Sequence, residues 1–192
     1  MKLRYLNTHD LMAPHAHGRH AKDLIVLHET VSPDQAGFAD ILAVENYLAG
    51  KGYGIHGMTD AEGHKAWAKG LGTAIFWQAG GVNDRSIGIE QVSNVMLRSP
   101  SNTIRRKIWL ARNKQLRATA KLVGAICRAH DIPIRYSDGL HPGITSHWDV
   151  SQHFPESEGH TDCWPVHKGG YYPIRMVIRL ARVYAKVYRL GA

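Results

Sequence analysis

Three candidate metal ligands lie within four residues of one another late in the chain. The segment GHTDCWP, residues 159–165, contains His160, Asp162 and Cys163. Imidazole nitrogen, carboxylate oxygen and thiolate sulfur are the ligands that zinc takes in proteins. A catalytic zinc ion needs three protein ligands and one position left open for water. The segment could supply part of such a site, and the remaining ligands would come from elsewhere in the chain.

Two other histidines stand at the ends of apolar segments. His28 is the last residue of DLIVLH, Asp23–His28, a short β-branched run that predicts a buried central strand. His147 follows a second β-like run in PGITSHWDVS. Side chains supported by regular elements are held more rigidly than those on loops. His28 and His147 are therefore candidates for two ligands, although the spacing alone fits ordinary surface polar residues equally well.

The remaining histidine patterns favour no metal site. HETVS is not the HExxH motif of zinc peptidases, because Ser32 stands where that motif needs its second histidine. The N-terminal segment THDLMAPHAHGRH predicts a loop that could border a substrate groove, and it contains His9, His15, His17 and His20.

Length and composition predict one soluble globular domain, residues 1–192, that folds without disulfides. The chain has 192 residues, of which 44% are hydrophobic and 21% charged, and its two cysteines form no CxxC pair. No secretion signal or membrane-spanning apolar run is present, so we expect no stable membrane insertion. The net charge of +8 favours an anionic partner, which could be nucleic acid, a membrane surface or an acidic cell wall.

Strand-like and helix-like segments alternate along the chain, which predicts an α/β fold. Helical spacing in Ser32–Gly52 is followed by a hairpin in Tyr53–Ala68, with its turn at Asp60–Gly63. Ser86–Val92 predicts a second strand, with Glu90 and Gly88 on the face opposite the isoleucines. One face of the first helix is expected to contain Phe38, Ile41, Leu42, Glu45 and Leu48.

Two further helices are predicted in the second half of the chain. One runs from Thr103 to His130, where the sequence DIP stops it, and the other from Ile174 to Leu190. The last helix has a basic stripe that is either an ordinary solvated face or a surface for an anionic polymer or membrane, and it consists of Arg175, Arg179, Arg182, Lys186 and Arg189.

Four segments together resemble the type-2 N-acetylmuramoyl-L-alanine amidases. IVLHET, NDRSIGIE, SHWDVS and GHTDCWP occur in the order and at the separations of that family. These zinc enzymes share a fold with peptidoglycan recognition proteins and include many bacteriophage endolysins, and the HTDC and YYP segments are similar to those of actinobacterial phage lysins. The resemblance covers about residues 22–182 and implies a central mixed β-sheet flanked by helices in a single domain.

The resemblance also implies roles for individual residues. His28 and His147 match the first and second zinc ligands of the family. Asp162 matches the third, and Cys163 is the fallback because some members use cysteine there. Glu90 matches the carboxylate that many members use as general base.

Three departures from the family pattern lie in the expected substrate pocket. His160 stands at the position of a family lysine and would donate a hydrogen bond to the carbonyl oxygen during catalysis. Ile55 and His56 replace a Tyr-His pair, and WQAGGVN has glutamine where the family has a pocket histidine. Residues expected to contact substrate are His56, Tyr53, Trp77, Gln78 and Asn83, although His56 could instead simply line the pocket or bond a backbone carbonyl.

Tryptophans and one carboxylate could assist this pocket. Asp149 could orient a zinc-binding imidazole from outside the ligand set. Sugar stacking and core packing are equally consistent with the sequence for four tryptophans, Trp67, Trp77, Trp148 and Trp164.

The implied reaction is zinc-dependent hydrolysis of the amide bond between N-acetylmuramic acid and L-alanine in bacterial peptidoglycan, leading to lysis of a phage host. We expect a monomer with one Zn²⁺ that binds no nucleic acid, since no known nucleic-acid-binding motif occurs. Without a signal sequence it would accumulate in the host cytoplasm until another protein opens the membrane. The alternatives are a non-catalytic peptidoglycan-binding protein of the same fold, a zinc peptidase that cuts the stem peptide, and a nucleic-acid-binding protein built on the basic helix.

Overall fold

A five-stranded sheet forms the centre of the computed structural model, which describes residues 14–18, 21–30, 32, 39–68 and 70–187. The strand order is β4-β3-β6-β2-β7; β3, β6, β2 and β7 run parallel, and β4 pairs antiparallel with β3. A separate antiparallel pair joins β1 to β5. The strands are β1 Ala16–His17, β2 Leu24–Glu29, β3 Gly57–Thr59, β4 Lys65–Trp67, β5 Ala74–Ile75, β6 Ser86–Gln91 and β7 Gly143–Ser146.

The two central strands are buried along their whole length, as their apolar sequences predict. All six residues of β2 and all six of β6 are buried. Parallel strands are covered on both faces, so near-continuous apolar runs are the expected pattern. The predicted hairpin is also confirmed, with β3 and β4 joined through residues 60–64.

Helices cover the sheet on both sides. On one face, Ile25 and Ile87 pack into a core cluster with α4 and α6. On the other face, Leu24 and Val26 pack with Val150 of α5, next to the open side where the cleft lies. The helices are α1 Ala39–Gly50, α2 Val95–Arg98, α3 Asn102–Ala111, α4 Asn113–Ala129, α5 His147–Ser151 and α6 Ile174–Tyr184.

The long helix expected over Thr103–His130 is two helices, α3 and α4. They meet at Arg112, whose ψ of 44° is not helical. The Arg112 side chain donates to the carbonyl oxygen of Val92 at 2.9 Å and to Oε1 of Gln115 at 2.7 Å. These contacts hold the bend, and the sequence there has neither proline nor glycine to indicate it.

Two other expected boundaries differ. The last strand ends at Ser146, and His147 begins α5, because Ser146 and Asp149 form a reciprocal capping box at this point. The final helix ends at Tyr184 and not at Leu190, which lies outside the described residues together with Arg189. The stripe cations within the described range are exposed, namely Arg175, Arg179, Arg182 and Lys186.

On α1 the residues expected to share one face differ in burial. Ile41 and Glu45 are fully buried, whereas Leu42 is 39% exposed. Phe38, His9 and His20 lie outside the described residues. Among the residues that the structure describes, no helix has the length and apolarity needed to cross a membrane.

Candidate active site

His28 and His147 meet because they lie at the carboxyl ends of neighbouring parallel strands. His28 is the fifth residue of β2, and His147 comes directly after β7. The register pairs Leu27 with Ser146, so the carboxyl ends of both strands reach the same edge of the sheet. Asp162 arrives there from the loop after α5, and its Oδ2 accepts a hydrogen bond from the backbone N–H of Glu29 at 3.3 Å.

These three side chains converge in the geometry of a metal site. Nδ1 of His28 and Nδ1 of His147 are 3.1 Å apart, and they lie 3.5 and 3.2 Å from the two carboxylate oxygens of Asp162. Corners of a tetrahedron with metal–ligand bonds of ~2.1 Å are separated by roughly 3.4 Å, so the spacing suits a zinc ion. Two imidazoles and a carboxylate are also a common ligand set of catalytic zinc. The residues therefore fit the metal.

Asp162 and Cys163, the alternative third ligands, point in different directions. Cys163 is completely buried in the core cluster on the far face of the sheet, where Nε2 of Gln91 donates to its sulfur at 3.3 Å. Its φ of +57° turns the chain between the two residues. The group of converging ligand atoms consists of His28, His147 and Asp162.

The imidazoles around Asp162 determine its ionisation. Burial alone would raise the pKa of this carboxyl, but His147, His160 and His28 hold the pKa well below its ordinary value. The carboxylate therefore stays negative and complements a cation at the convergence point. His160 contributes from the solvent side, with its ring stacked on that of His147 at a centroid distance of 3.9 Å.

Glu90 lies beside the ligand group. It is the register partner of His28 on the adjacent strand β6 and is only 8% exposed, at the cleft surface. Burial raises the pKa of Glu90 to about 8, although the nearby imidazole of His28 acts to lower it. A carboxyl group of this kind can take up and release a proton near neutral pH.

The ligand group opens into a cleft of about 920 Å³. Four of the five residues expected to contact substrate line this cleft: Tyr53, Trp77, Gln78 and Asn83. Trp77 is 56% exposed there, so it could stack on a sugar. The other candidate tryptophans lie elsewhere: Trp67 is buried in the core, and Trp148 stacks on Trp164 at 5.6 Å, outside the cleft lining.

His56, the fifth expected contact, does not reach the cleft. It is completely buried, its Nε2 donates to the carbonyl oxygen of Ala74 at 3.0 Å, and its Nδ1 accepts from the N–H of Gly88 at 3.1 Å. Burial lowers the pKa of His56 to about 3, so the ring is neutral and joins two backbone segments. Of the roles that the sequence left open for His56, the structure supports the bond to a backbone carbonyl, and the expected contact with substrate is corrected to this structural role.

Asp149 also differs from its expected role. Its carboxylate accepts from Oγ of Ser146 at 2.7 Å and from the hydroxyl of Tyr136 at 2.6 Å, and it forms an ion pair with Lys168 at 3.2 Å. It therefore fixes the start of α5, on which His147 stands, and acts on that ring only through the backbone. Nε2 of His147 is buried and has no hydrogen-bond partner within the described part of the chain.

Comparison with known proteins identifies this arrangement. Residues 18–165, which contain all three converging ligands, match the family model described as N-acetylmuramoyl-L-alanine amidase. The chain belongs to this family. No curated protein matches the amidase in sequence.

Solved structures show that the fold is shared. The hydrolase AmiA of Staphylococcus aureus, in complex with its ligand, has a TM-score of 0.66 and 14% identity, covering 96% of this chain and 82% of that chain. The N-acetylmuramoyl-L-alanine amidase LysC of Clostridium intestinale has a TM-score of 0.55 and 17% identity, covering 92% and 95%. Drosophila PGRP-LB has a TM-score of 0.55 and 17% identity, covering 77% and 84%.

One histidine of the N-terminal segment, predicted as a loop that could border a substrate groove, supports the cleft of the amidase. The His15 ring stacks on the Trp77 indole at a centroid distance of 4.4 Å. Its Nδ1 accepts a hydrogen bond from the backbone N–H of Trp77 at 3.2 Å, and its Nε2 donates to the carbonyl oxygen of Gly52 at 2.7 Å. The ring thus joins two segments of the cleft wall. The sequence indicated only that this segment could border a groove, and it did not indicate the contact with Trp77.

A buried polar network under the ligand group was likewise not predicted. The amide of Gln91 donates to the carbonyl oxygen of His28 at 3.1 Å and accepts from the hydroxyl of Tyr172 at 2.6 Å. Glu29 accepts from the hydroxyls of Tyr171 and Ser93 at 2.8 and 2.7 Å. The only signal was the presence of polar residues at the ends of the two apolar strands.

Proposed function

We propose that this amidase is a zinc-dependent enzyme that hydrolyses the bond between N-acetylmuramic acid and L-alanine in peptidoglycan. The observation that carries the proposal is the convergence of His28, His147 and Asp162 at the floor of an open cleft, with separations of 3.1 to 3.5 Å between their ligand atoms. Zinc bound there would make a water more acidic and polarise the substrate carbonyl.

Glu90 is proposed as the general base. Its position beside His28 supports this role, and so does the burial that raises its pKa to about 8. The carboxylate would accept a proton from the attacking water and pass it to the departing L-alanine nitrogen.

His160 is proposed to stabilise the developing negative charge on the carbonyl oxygen. Its side chain is 53% exposed at the cleft and is held by the stacked ring of His147 and by Asp162, whose Oδ1 lies 3.7 Å from its Nδ1. Loss of a donor of this kind costs about 3 kcal/mol in the transition state.

Substrate contacts are proposed for Tyr53, Trp77, Gln78 and Asn83, which line the cleft. Aromatic side chains provide faces on which sugar rings can stack. The net charge of +8 supports an encounter with anionic cell walls, through attraction that high salt would screen.

The biological role that we propose is that of a phage endolysin, acting as a single catalytic domain over residues 1–192 and as a monomer. It would remain in the host cytoplasm until lysis and then reach the wall. The fold shared with LysCS of Clostridium intestinale, described as an endolysin N-acetylmuramoyl-L-alanine amidase, supports this context. Nucleic acid is not proposed as a partner.

Mass spectrometry of digested peptidoglycan tests the proposed reaction. The expected product is a stem peptide with a new free L-alanine amine and an intact glycan strand. A new reducing sugar, or a new end within the stem peptide, would contradict the proposal. Wall binding without any new end would identify a non-catalytic binding protein instead.

A further inference from the structure

The carboxamide of Gln78 lies between a proposed zinc ligand and the neighbouring strand. Its Oε1 is 2.5 Å from Nε2 of His28, and its Nε2 donates to Oγ of Ser86 at 2.6 Å. His28 thus has its two ring nitrogens in different surroundings: Nδ1 faces the ligand group, and Nε2 faces an amide oxygen.

We propose that Gln78 is a positioning residue that holds His28 in the tautomer with hydrogen on Nε2, and so leaves Nδ1 free to bind zinc. This inference rests on the proposed zinc site. It assigns Gln78 a role that acts through His28, beyond the contact with substrate expected from its place in the cleft.

The tautomer of His28 follows from the direction of the amide. A neutral imidazole has one donor and one acceptor nitrogen, and only the nitrogen without hydrogen can bind a cation. An amide oxygen is purely an acceptor, so at Nε2 it selects the N–H form. The reverse amide orientation would place the NH₂ group against Nε2 of His28 and force hydrogen onto Nδ1, into the ligand group.

The surrounding chain fixes this carboxamide. The backbone N–H groups of Gln78 and Ala79 both donate to Oδ1 of Asn83, at 3.0 and 2.8 Å, which sets the loop from which Gln78 projects. Space for the side chain comes from Gly88. A Cβ atom there would lie 2.7 Å from Oε1 and 2.8 Å from Cδ of Gln78 and would also collide with Ile55.

Gln78, Ser86 and Gly88 therefore form one arrangement around His28. Ser86 accepts from the amide, Gly88 makes room for it, and the amide accepts from the imidazole. His147 differs, because its Nε2 has no partner in the described residues. Of the two proposed histidine ligands, His28 is the one whose tautomer a side chain selects.

Chelator competition on the zinc-loaded full chain tests the inference. Removing a hydrogen-bond partner of a metal-binding histidine weakens metal affinity by about 10- to 100-fold. We expect Gln78→Leu to release its zinc at chelator concentrations about 10- to 100-fold lower than the unmodified chain requires. Gln78→Glu keeps an acceptor and should stay close to the unmodified chain. Asn113→Leu, the same amide-to-leucine change at an exposed position at the start of α4, is the matched control.

Gly88→Ala supplies a second test, because it keeps the amide and displaces it, together with the flexible end of the Ile55 side chain. We expect weaker zinc binding in this variant too, together with loss of the hydrogen-bonded Nε2–H proton signal of His28 in NMR spectra of the zinc-loaded chain. If Gln78→Leu misfolds, Gly88→Ala and Gln78→Glu decide the question.

Two outcomes separate this inference from the proposed zinc site. Unchanged zinc affinity in Gln78→Leu and Gly88→Ala, while His28→Ala loses zinc, would overturn the role of Gln78 and leave the site intact. Failure of the unmodified chain to bind zinc would overturn the proposed site and the inference with it.

Discussion

Glu45 is predicted to make the stability of this amidase depend on pH. The side chain is completely buried on α1, and neither carboxylate oxygen has a hydrogen-bond partner among the described residues. Apolar neighbours such as Ile41 and Met58 line the small cavity beside it. Burial therefore raises the pKa of Glu45 from its ordinary 4.5 to about 7.

The sign of the effect follows from this shift. Because the folded-state pKa is raised, folding favours the protonated acid, and that contribution is fully present below pH 4.5 and lost as pH rises through 7. Two and a half pKa units correspond to about 3 kcal/mol of destabilisation at pH 8, against less than about 1 kcal/mol at pH 5. Residues of α1 line the cleft, so a loss of folding stability at this helix would also affect the active site.

Denaturant unfolding of Glu45→Gln from pH 5 to pH 8 measures the effect. Glutamine has a burial cost of its own, but that cost does not change with pH. We expect the variant to gain about 2 kcal/mol relative to the unmodified chain between pH 5 and pH 8. Glu158→Gln, at an exposed position, should show no such slope. Parallel stability curves for Glu45→Gln and the unmodified chain would refute the reasoning.

Three further predictions concern the active site. Glu90→Gln should keep zinc and lower kcat by about 10²- to 10⁴-fold, and full activity in a turbidity assay would remove Glu90 from the mechanism. His15→Ala should raise KM by roughly 5-fold, equivalent to about 1 kcal/mol, with kcat unchanged, because it removes the ring that stacks on Trp77 and lets the indole move. An altered kcat with a normal KM would contradict this prediction. Cys163→Ala should retain one zinc per chain by elemental analysis, and loss of the metal would restore cysteine as a ligand.

The central elements of the fold could be predicted because their patterns are local. The strands at His28 and Glu90 are apolar, β-branched and buried on both faces, which leaves little choice of structure. The break at Arg112 could not be predicted, because its cause is a hydrogen bond to Val92, twenty residues away. Tertiary contacts of this kind override helical periodicity, and the local sequence does not indicate them.

The candidate site shows the same division. Histidines at the ends of two strand-like segments were candidates for two ligands, and the structure brings His28 and His147 together. The directions of Asp162 and Cys163 depended on one positive φ in a loop, which neither residue type indicates. The burial of His56 depended on backbone partners at Ala74 and Gly88, so its residue type suggested chemistry that its position excludes.

Anomalous scattering at the zinc edge, from crystals of the zinc-loaded chain, tests the central claim most directly. We predict one peak, within bonding distance of Nδ1 of His28, Nδ1 of His147 and the carboxylate of Asp162. No peak at that point in the loaded crystals, or a metal bound through other atoms, would contradict the account of the active site.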